Sequence, residues 1–231
     1  MLDSDLADLS ASLHAQAVLG PLPKAGVDLT SPAEDSSLGH MCRHLVPAMP
    51  CPLHPDRGLD LDQAWSLLTH ATQPLFVPGT AFALAELVAN APRPCPLPPG
   101  SLVMVTGGFK GRTRSVHEGA LADHLAHTFP GAKLVGEYGM TELSSQLWSV
   151  PLSEHFTPPP WLRVRAVDPW TGQGTTEGQL RFYDLANLWT VCAVETHDLG
   201  RVHADGSVTL LGRMPAATPR GCSLGAEEAL G

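Results

Sequence analysis

The feature that most constrains the fold is an alternation of apolar and helix-like segments between residues 74 and 138. Three apolar segments typical of buried strands alternate with two segments of helical composition, in the order Pro74–Val77, Ala81–Ala91, Leu102–Val105, Ser115–Phe129 and Lys133–Tyr138. This alternation predicts a parallel sheet covered by helices, because parallel neighbours need a long crossover connection. Ligands are then expected at the carboxyl ends of the strands.

Outside this core, leucines at helical spacing predict an N-terminal helix that stops before Gly20-Pro21. Residues 20–60 are rich in proline and predict mostly loop, with a short helix at Ser37–Leu45. The segment Leu61–His70 predicts another helix. After Pro160 the pattern changes to period two with hairpin turns, in four segments: Leu162–Val167, Gln179–Asp184, Val191–Thr196 and Val208–Leu211.

We therefore predict an α/β fold in which a parallel sheet with flanking helices is followed by a smaller antiparallel β subdomain. The expected regions are residues 1–60, an N-terminal helix and Pro-rich loop; residues 61–155, an α/β nucleotide-binding subdomain; and residues 156–231, a β-rich subdomain that ends in a cysteine-containing segment.

Composition limits the class of protein. The 231 residues carry a formal net charge of −9, which argues against nucleic acid as a main partner because phosphate binding needs a basic face. No apolar run approaches the ~20 residues of a membrane span, so we expect a cytoplasmic protein with no membrane span. The 5 cysteines are odd in number and scattered, which favours reduced thiols.

The loop after Leu134-Val135 gathers several chemically distinct groups, namely Tyr138, Gly139, Thr141 and Glu142. They could stack on a purine, admit backbone to a phosphate, donate a hydrogen bond to it and hold Mg²⁺. The same pattern also fits a plain strand-to-helix turn with a capping threonine. A second glycine-bearing loop follows Val105, so both loops lie at predicted strand ends, which supports a nucleotide site.

An ordered set of motifs covers the chain from about Ser31 to its end. It resembles the adenylate-forming superfamily and, within it, the fatty acyl-protein synthetase family associated with bacterial luciferase systems. The motifs are Ser36–Met41, Gly79–Ala83, Thr106–Arg112, Glu137–Gln146, Trp161–Arg163, Asp184–Asn187, Asp198–Gly200 with Leu211–Arg213, and Arg220–Leu224.

The resemblance implies roles for the two strand-end loops. Gly107 and Gly108 would lie along an adenine base, with Tyr138 against its face, an interaction worth about 1–3 kcal/mol. Gly139 would also belong to the nucleotide site. Thr141 would contact the α-phosphate, and Glu142 would hold Mg²⁺.

Two residues of the β-rich half join this implied site. Asp198 would accept hydrogen bonds from the ribose hydroxyls, and Arg213 would lie near the ribose and phosphate. Judged from the residues alone, the pair also fits a surface ion pair in a turn region. Lys110 and Arg112 could steer an anion or belong to a solvated loop.

Cys222 is the cysteine that the resemblance implies as acyl acceptor. It lies between Gly221 and Ser223 and follows Arg220, a cation that favours the nucleophilic thiolate. A lone cysteine is otherwise most often a small buried apolar residue.

The function implied is that of a long-chain-fatty-acid–protein ligase, an acid–thiol ligase. Such an enzyme uses ATP and Mg²⁺ to activate a carboxylic acid as an acyl-adenylate and transfers the acyl group to a protein thiol. An acyl-transferring or reductase protein is a possible partner. Two alternatives stay open: a catalytically impaired nucleotide-binding remnant or partner subunit, and a module that only carries an acyl group on Cys222.

Some expected features have no counterpart. The superfamily's Ser/Thr/Gly-rich phosphate loop has no match before Ser31, so we expect the chain to be truncated at its N-terminus relative to the family. No lysine follows Lys133, so a C-terminal lid lysine is missing too. A zinc site is a further alternative, since His40, Cys42, His44, Cys51 and His54 lie close together in sequence, but their spacing matches no standard zinc pattern.

Overall fold

The computed structural model describes residues 4–107 and 118–214. We number the helices and strands of these ranges in chain order. The helices are α1 (Ser4–Leu19), α2 (Ser37–Leu45), α3 (Leu61–Thr69), α4 (Ala81–Ala89) and α5 (Glu118–Thr128). The strands are β1 (Ala25–Gly26), β2 (Leu53–His54), β3 (Gly58–Leu59), β4 (Leu75–Thr80), β5 (Leu102–Thr106), β6 (Lys133–Tyr138), β7 (Leu147–Ser149), β8 (His155–Phe156), β9 (Leu162–Val167), β10 (Gly174–Thr175), β11 (Glu177–Asp184), β12 (Ala193–Val202) and β13 (Val208–Arg213).

The first sheet has five strands in the order β1-β4-β5-β6-β7. Its first four strands are parallel, which confirms the pairing expected from the alternation of strands and helices. The edge strand β7 runs antiparallel to β6 and was not predicted. Its three residues are too few to show a hydrophobic period, so only its pairing defines it as a strand.

Side-chain caps define where three of the helices begin. Ser36 accepts a hydrogen bond from the amide of Gly39 at the start of α2, and Asp60 accepts one from Gln63 at the start of α3. Thr80 is both the last residue of β4 and the cap of α4. Each cap satisfies an amide that the first helical turn leaves without a partner.

Helices cover both faces of the first sheet. On one face, α1 and α2 pack against Phe76, Met104, Val135 and Trp148. On the other face, α3, α4 and α5 pack against alternate residues of the same strands, among them Val77 and Val103. Along each strand, successive side chains point alternately to the two faces of the sheet, as the period of a strand requires.

The second sheet has six antiparallel strands in the order β10-β9-β11-β12-β13-β8. This confirms the change to antiparallel structure after Pro160. Its inner face forms a third apolar cluster, built from Leu143, Leu147, Phe156, Leu162, Val164, Ala166, Leu180, Phe182 and Val208. Tyr138 and Met140, from the end of the first sheet, pack against this cluster, so the two sheets share an interface.

Three predicted segments, Ser37–Leu45, Lys133–Tyr138 and Leu162–Val167, match the observed elements to the residue. The strand predicted at Val191–Thr196 is observed at Ala193–Val202. The predicted start of the helix at Ser115 lies outside the described residues. The division into three regions stays a prediction. No helix in the described ranges combines the length and apolar character needed to cross a bilayer.

Candidate functional site

The candidate site lies where the carboxyl ends of β5 and β6 meet. Thr106 and Glu137 are register partners at these ends, so the two glycine-bearing loops emerge side by side. Gly107 follows directly with φ = +69°, a left-handed conformation that glycine adopts without a steric penalty. Gly108, also expected along the adenine, lies outside the described residues.

Tyr138 is the last residue of β6 and lies at the interface of the two sheets. Its ring stacks on Phe182 with a centroid distance of 5.8 Å and lies 6.1 Å from the ring of Phe156. Its hydroxyl donates to Oδ2 of Asp198 at 2.7 Å. Burial, followed by the nearby Asp198 carboxylate, raises the pKa of Tyr138 well above its ordinary value, so the phenol stays a neutral donor.

Asp198 and Arg213 form a pair on neighbouring strands. They are register partners on β12 and β13, and Nε of Arg213 lies 3.2 Å from Oδ1 of Asp198. Their side chains are 16% and 22% exposed, so the ion pair is mostly shielded from water. A carboxylate has about four acceptor positions, so this pairing leaves room for ribose hydroxyls as further donors. The structure thus brings Tyr138, Asp198 and Arg213 together.

The loop after Tyr138 turns over the end of β6. A Cβ on Gly139 would lie 2.5 Å from Oε1 of Glu137, so any other residue here would require the carboxyl group or the backbone to shift. Thr141 is exposed, and its hydroxyl lies 3.3 Å from the hydroxyl of Ser37 in the first turn of α2. The side chain of Glu142 is exposed.

Asn187 holds this loop in place, a role that sequence reasoning missed. Its Nδ2 donates to the carbonyls of Glu142 at 2.7 Å and Val191 at 3.1 Å, and its Oδ1 accepts from the amide of Ser144 at 2.9 Å. Asn187 belonged to one of the motifs that carried the resemblance, but the motif assigned it no partner. Its three bonds tie the loop to the β11–β12 connection.

A buried polar cluster lies below the same loop. Asp184 is fully buried, and its Oδ1 accepts from the hydroxyl of Ser145 and the amide of Ala186. The hydroxyl of Ser145 also lies 3.1 Å from that of Ser10 and accepts from Nε1 of Trp161. These contacts join α1 to both sheets. Ser145, Trp161 and Asp184 belong to motifs that carried the resemblance, whereas Ser10 had no role in the sequence analysis.

The residues of the zinc alternative do not converge. His40 and His44 both contact Asp8 of α1, at 2.8 Å and 3.5 Å, whereas His54 faces Asp60 at 4.0 Å. Cys42 is buried. Across residues 4–107 and 118–214, no group of three or more His, Cys, Asp or Glu side chains could hold a metal ion.

Besides Gly108, three residues with predicted or alternative roles lie outside the described residues, namely Cys222, Lys110 and Arg112. Among the cysteines of the described ranges, Cys192 is exposed, Cys51 is half-buried, and Cys42 and Cys95 are buried.

Comparison with known proteins gives similarity at the level of structure. No protein-family model matches the sequence, and no curated protein matches it. The ATP-bound MatB enzyme of Rhodopseudomonas palustris matches with a TM-score of 0.62 and 17% identity over 90% of this chain and 44% of its own. The O-succinylbenzoate coenzyme A synthetase of Bacillus subtilis, in complex with ATP and magnesium, matches with a TM-score of 0.63 and 16% identity over 90% of this chain and 46% of its own.

A third match is the luciferase-like enzyme of the nonluminescent mealworm Zophobas morio, with a TM-score of 0.65 and 15% identity over 91% of this chain and 54% of its own. The chain thus spans about half the length of these neighbours. At such low identity the similarity concerns the fold, and it agrees with the parallel sheet, its helices and the antiparallel sheet described above. The chain has part of the fold of the adenylate-forming enzymes.

Proposed function

We propose that this chain binds the AMP part of an acyl-adenylate and takes part in the ATP-dependent activation of a carboxylic acid. The observation that carries the proposal is the contact of Tyr138, Asp198 and Arg213 at the carboxyl edge of the parallel sheet. Two structural neighbours, MatB and the O-succinylbenzoate coenzyme A synthetase, have ATP bound, and this supports the proposal.

The aromatic and charged groups suit a nucleoside. Phe182 stacks on the ring of Tyr138. The base would therefore stack on an aromatic ring that is already packed in place. The hydroxyl of Tyr138 fixes the Asp198 carboxylate, which would accept from the ribose hydroxyls. The guanidinium of Arg213 supplies a cation beside that carboxylate, where the α-phosphate would lie.

The loops suit phosphates and Mg²⁺. Gly107 and Gly139 have no side chain to keep a phosphate away from the backbone, and the exposed hydroxyl of Thr141 can donate to the α-phosphate. Glu142 can supply one carboxylate ligand, and Mg²⁺ usually takes one or two carboxylates together with phosphate oxygens and water. Bound Mg²⁺ would neutralise phosphate charge while the acid's carboxylate attacks the α-phosphorus and pyrophosphate leaves.

The finer proposal concerns substrate and acceptor. We propose a fatty acid as the substrate and a protein thiol as the acceptor, with Cys222 as that thiol. Attack of the thiolate on the acyl carbon would form a thioester and release AMP. This part rests on the resemblance of Arg220–Leu224 to the acyl-protein synthetase family.

Nucleotide binding can be tested with matched ion-pair variants. Arg213→Ala should weaken AMP binding about 10- to 100-fold, because a charge-assisted bond is worth about 1.5–3 kcal/mol. Arg201→Ala removes the guanidinium of the exposed Arg201–Glu177 pair on the same sheet and should leave affinity unchanged. Titration calorimetry measures both. Equal effects of the two changes would contradict the proposed site.

Catalysis can be tested by exchange of labelled pyrophosphate into ATP. Exchange that depends on an added fatty acid supports acid activation. The alternative is a nucleotide-binding subunit without its own activity. It predicts AMP binding without exchange. If neither AMP binding nor exchange is observed, both functions are contradicted.

The acceptor can be tested with two cysteine variants. Incubation with ATP and labelled fatty acid should label the protein through a thioester that hydroxylamine removes. Cys222→Ala should abolish labelling while exchange, which needs no thiol, continues. Cys192→Ala removes the exposed thiol of the described ranges and should leave labelling intact. Labelling that disappears only with Cys192→Ala would overturn the role of Cys222.

A further inference from the structure

A buried acid lies directly below the nucleotide loop and has no role in the function proposed above. Glu137 is 5% exposed and is the residue before Tyr138 at the end of β6. Thr106, its register partner on β5, donates a hydrogen bond from its hydroxyl to the Glu137 carboxyl group. The acid therefore links the two strand ends from which both glycine loops emerge.

The surroundings of Glu137 disfavour a charge. Strand alternation places it on the same face as Val135 and Trp148, which belong to the apolar cluster under α1 and α2. In the described part of the chain, no lysine, arginine or histidine forms an ion pair with it. A buried carboxylate without a cation is strongly disfavoured relative to the neutral acid.

The groups that face Glu137 from neighbouring elements are themselves neutral. From α2 comes the Cys42 thiol, whose pKa is raised first by burial and then by Asp28 and Glu137. Strand β5 presents Thr106, and β7 presents Trp148, the register partner of Glu137, whose Nε1 is buried without a hydrogen-bond partner among the described residues. Burial raises the pKa of Glu137 to about 7, and the bond from Thr106 opposes this rise.

The carboxyl group also touches the loop itself. Its Oε1 occupies the space where a side chain on Gly139 would begin, 2.5 Å from the position of that Cβ. Because this oxygen packs against Gly139, we expect a change in its charge or position to shift the Gly139 backbone. Gly139 lies between the ring of Tyr138 and the exposed Thr141, so the base-binding and phosphate-binding groups would move with it.

We propose that Glu137, as an uncharged carboxylic acid, is a positioning residue that holds the Tyr138–Gly139 loop in the form that binds nucleotide. This inference rests on the proposed function. Removal of the proton would place an unpaired charge in an apolar cluster. The loop would then move to expose the carboxylate to water, and the affinity for nucleotide would fall.

The expected pH dependence follows from the direction of this change. The neutral acid predominates below about pH 7 and is lost above it. If only the neutral form binds, the dissociation constant for AMP rises about tenfold between about pH 6 and about pH 8. The phosphate of AMP also titrates in this range, but it does so equally for every variant, so ratios between variants isolate Glu137.

The test is titration calorimetry with AMP across this pH range for wild type, Glu137→Gln and Glu86→Gln. Glutamine keeps an acceptor for Thr106 and cannot ionise, so Glu137→Gln should lose the tenfold dependence and keep the affinity that wild type has at low pH. Glu86→Gln makes the same chemical change on α4, away from the loop, and should retain the wild-type profile. A purely structural role for Glu137 would alter affinity without altering its pH profile.

The outcomes separate this inference from the proposed function. If wild type and Glu137→Gln bind AMP with the same pH profile, the role of Glu137 is contradicted, whereas the proposed nucleotide site is not. No AMP binding by either protein at any pH would overturn both. A second variant, Thr106→Val, removes the bond that favours the charged form, so it should move the wild-type midpoint to higher pH. A midpoint that stays in place would also contradict the inference.

Discussion

The hydroxyl of Tyr138 donates a hydrogen bond to Oδ2 of Asp198 across 2.7 Å, although the two residues are 60 positions apart in the chain. Because Tyr138 ends β6 of the parallel sheet and Asp198 lies on β12 of the antiparallel sheet, this bond joins the two sheets. The pair of Asp198 with Arg213 extends the connection to β13. The candidate nucleotide site is thus built across an interface, and its geometry depends on how the sheets pack.

Removal of the Tyr138 hydroxyl should destabilise that interface while keeping its aromatic packing. Tyr138→Phe retains the ring contacts with Phe156 and Phe182, so we expect a loss of about 1.5–3 kcal/mol in the free energy of unfolding from the missing charge-assisted bond. Urea denaturation measures the loss. Tyr183→Phe is the matched control, because no hydrogen bond from that hydroxyl is present in the described ranges and its ring faces Arg165. Equal losses would show that the Asp198 bond contributes nothing specific.

A methyl group on Gly139 should disrupt the loop. Gly139→Ala would place Cβ 2.5 Å from Oε1 of Glu137, so the carboxyl group or the backbone must shift. We expect destabilisation of about 1–3 kcal/mol and weaker AMP binding, measured by thermal unfolding and calorimetry. Gly174→Ala on β10 is the control, since its added Cβ meets nothing within 4 Å. Unchanged AMP affinity in Gly139→Ala would argue against a nucleotide at this loop.

The free energy of unfolding should depend on pH through Glu137. The folded-state pKa of this acid is raised from 4.5 to about 7, so the folded state binds the proton more tightly than the unfolded state. Its stabilising contribution is therefore complete below about pH 4.5 and is lost as pH rises to about 7, by at most about 3 kcal/mol. Denaturant titrations at about pH 5 and pH 8 should show a larger fall for wild type than for Glu137→Gln. A fall of the same size in both proteins would contradict the assignment.

Loss of the Asn187 side chain should release the Glu142 segment. Asn187→Ala removes the bonds to the carbonyl of Glu142 and the amide of Ser144, and we expect a loss of about 2–4 kcal/mol in the free energy of unfolding. Asn90→Ala removes one exposed side-chain bond at the end of α4 and should cost about 1 kcal/mol or less. We expect Asn187→Ala also to weaken the Mg²⁺ dependence of ATP binding. Identical costs for the two asparagines would show that the loop does not depend on Asn187.

Much of the fold could be predicted from sequence because its signals are local. Apolar segments of period two, helical spacing and capping residues lie within a few positions of one another. Three segments were therefore predicted to the residue, namely Ser37–Leu45, Lys133–Tyr138 and Leu162–Val167. Strand and helix alternation also predicts parallel pairing, since parallel neighbours require a crossover. The position of the glycine loops at strand ends follows from the same pattern.

Only the tertiary structure decided which distant side chains meet. Local patterns carry no information about the contact of Tyr138 with Asp198, the three bonds of Asn187, or the antiparallel edge strand β7. The same holds for Glu137. Its local sequence does not distinguish it from an exposed glutamate, and it is a buried acid because α2 and β7 cover it. Burial and pairing depend on how sheets and helices pack over long separations, and this packing sets both the geometry and the charge of the candidate site.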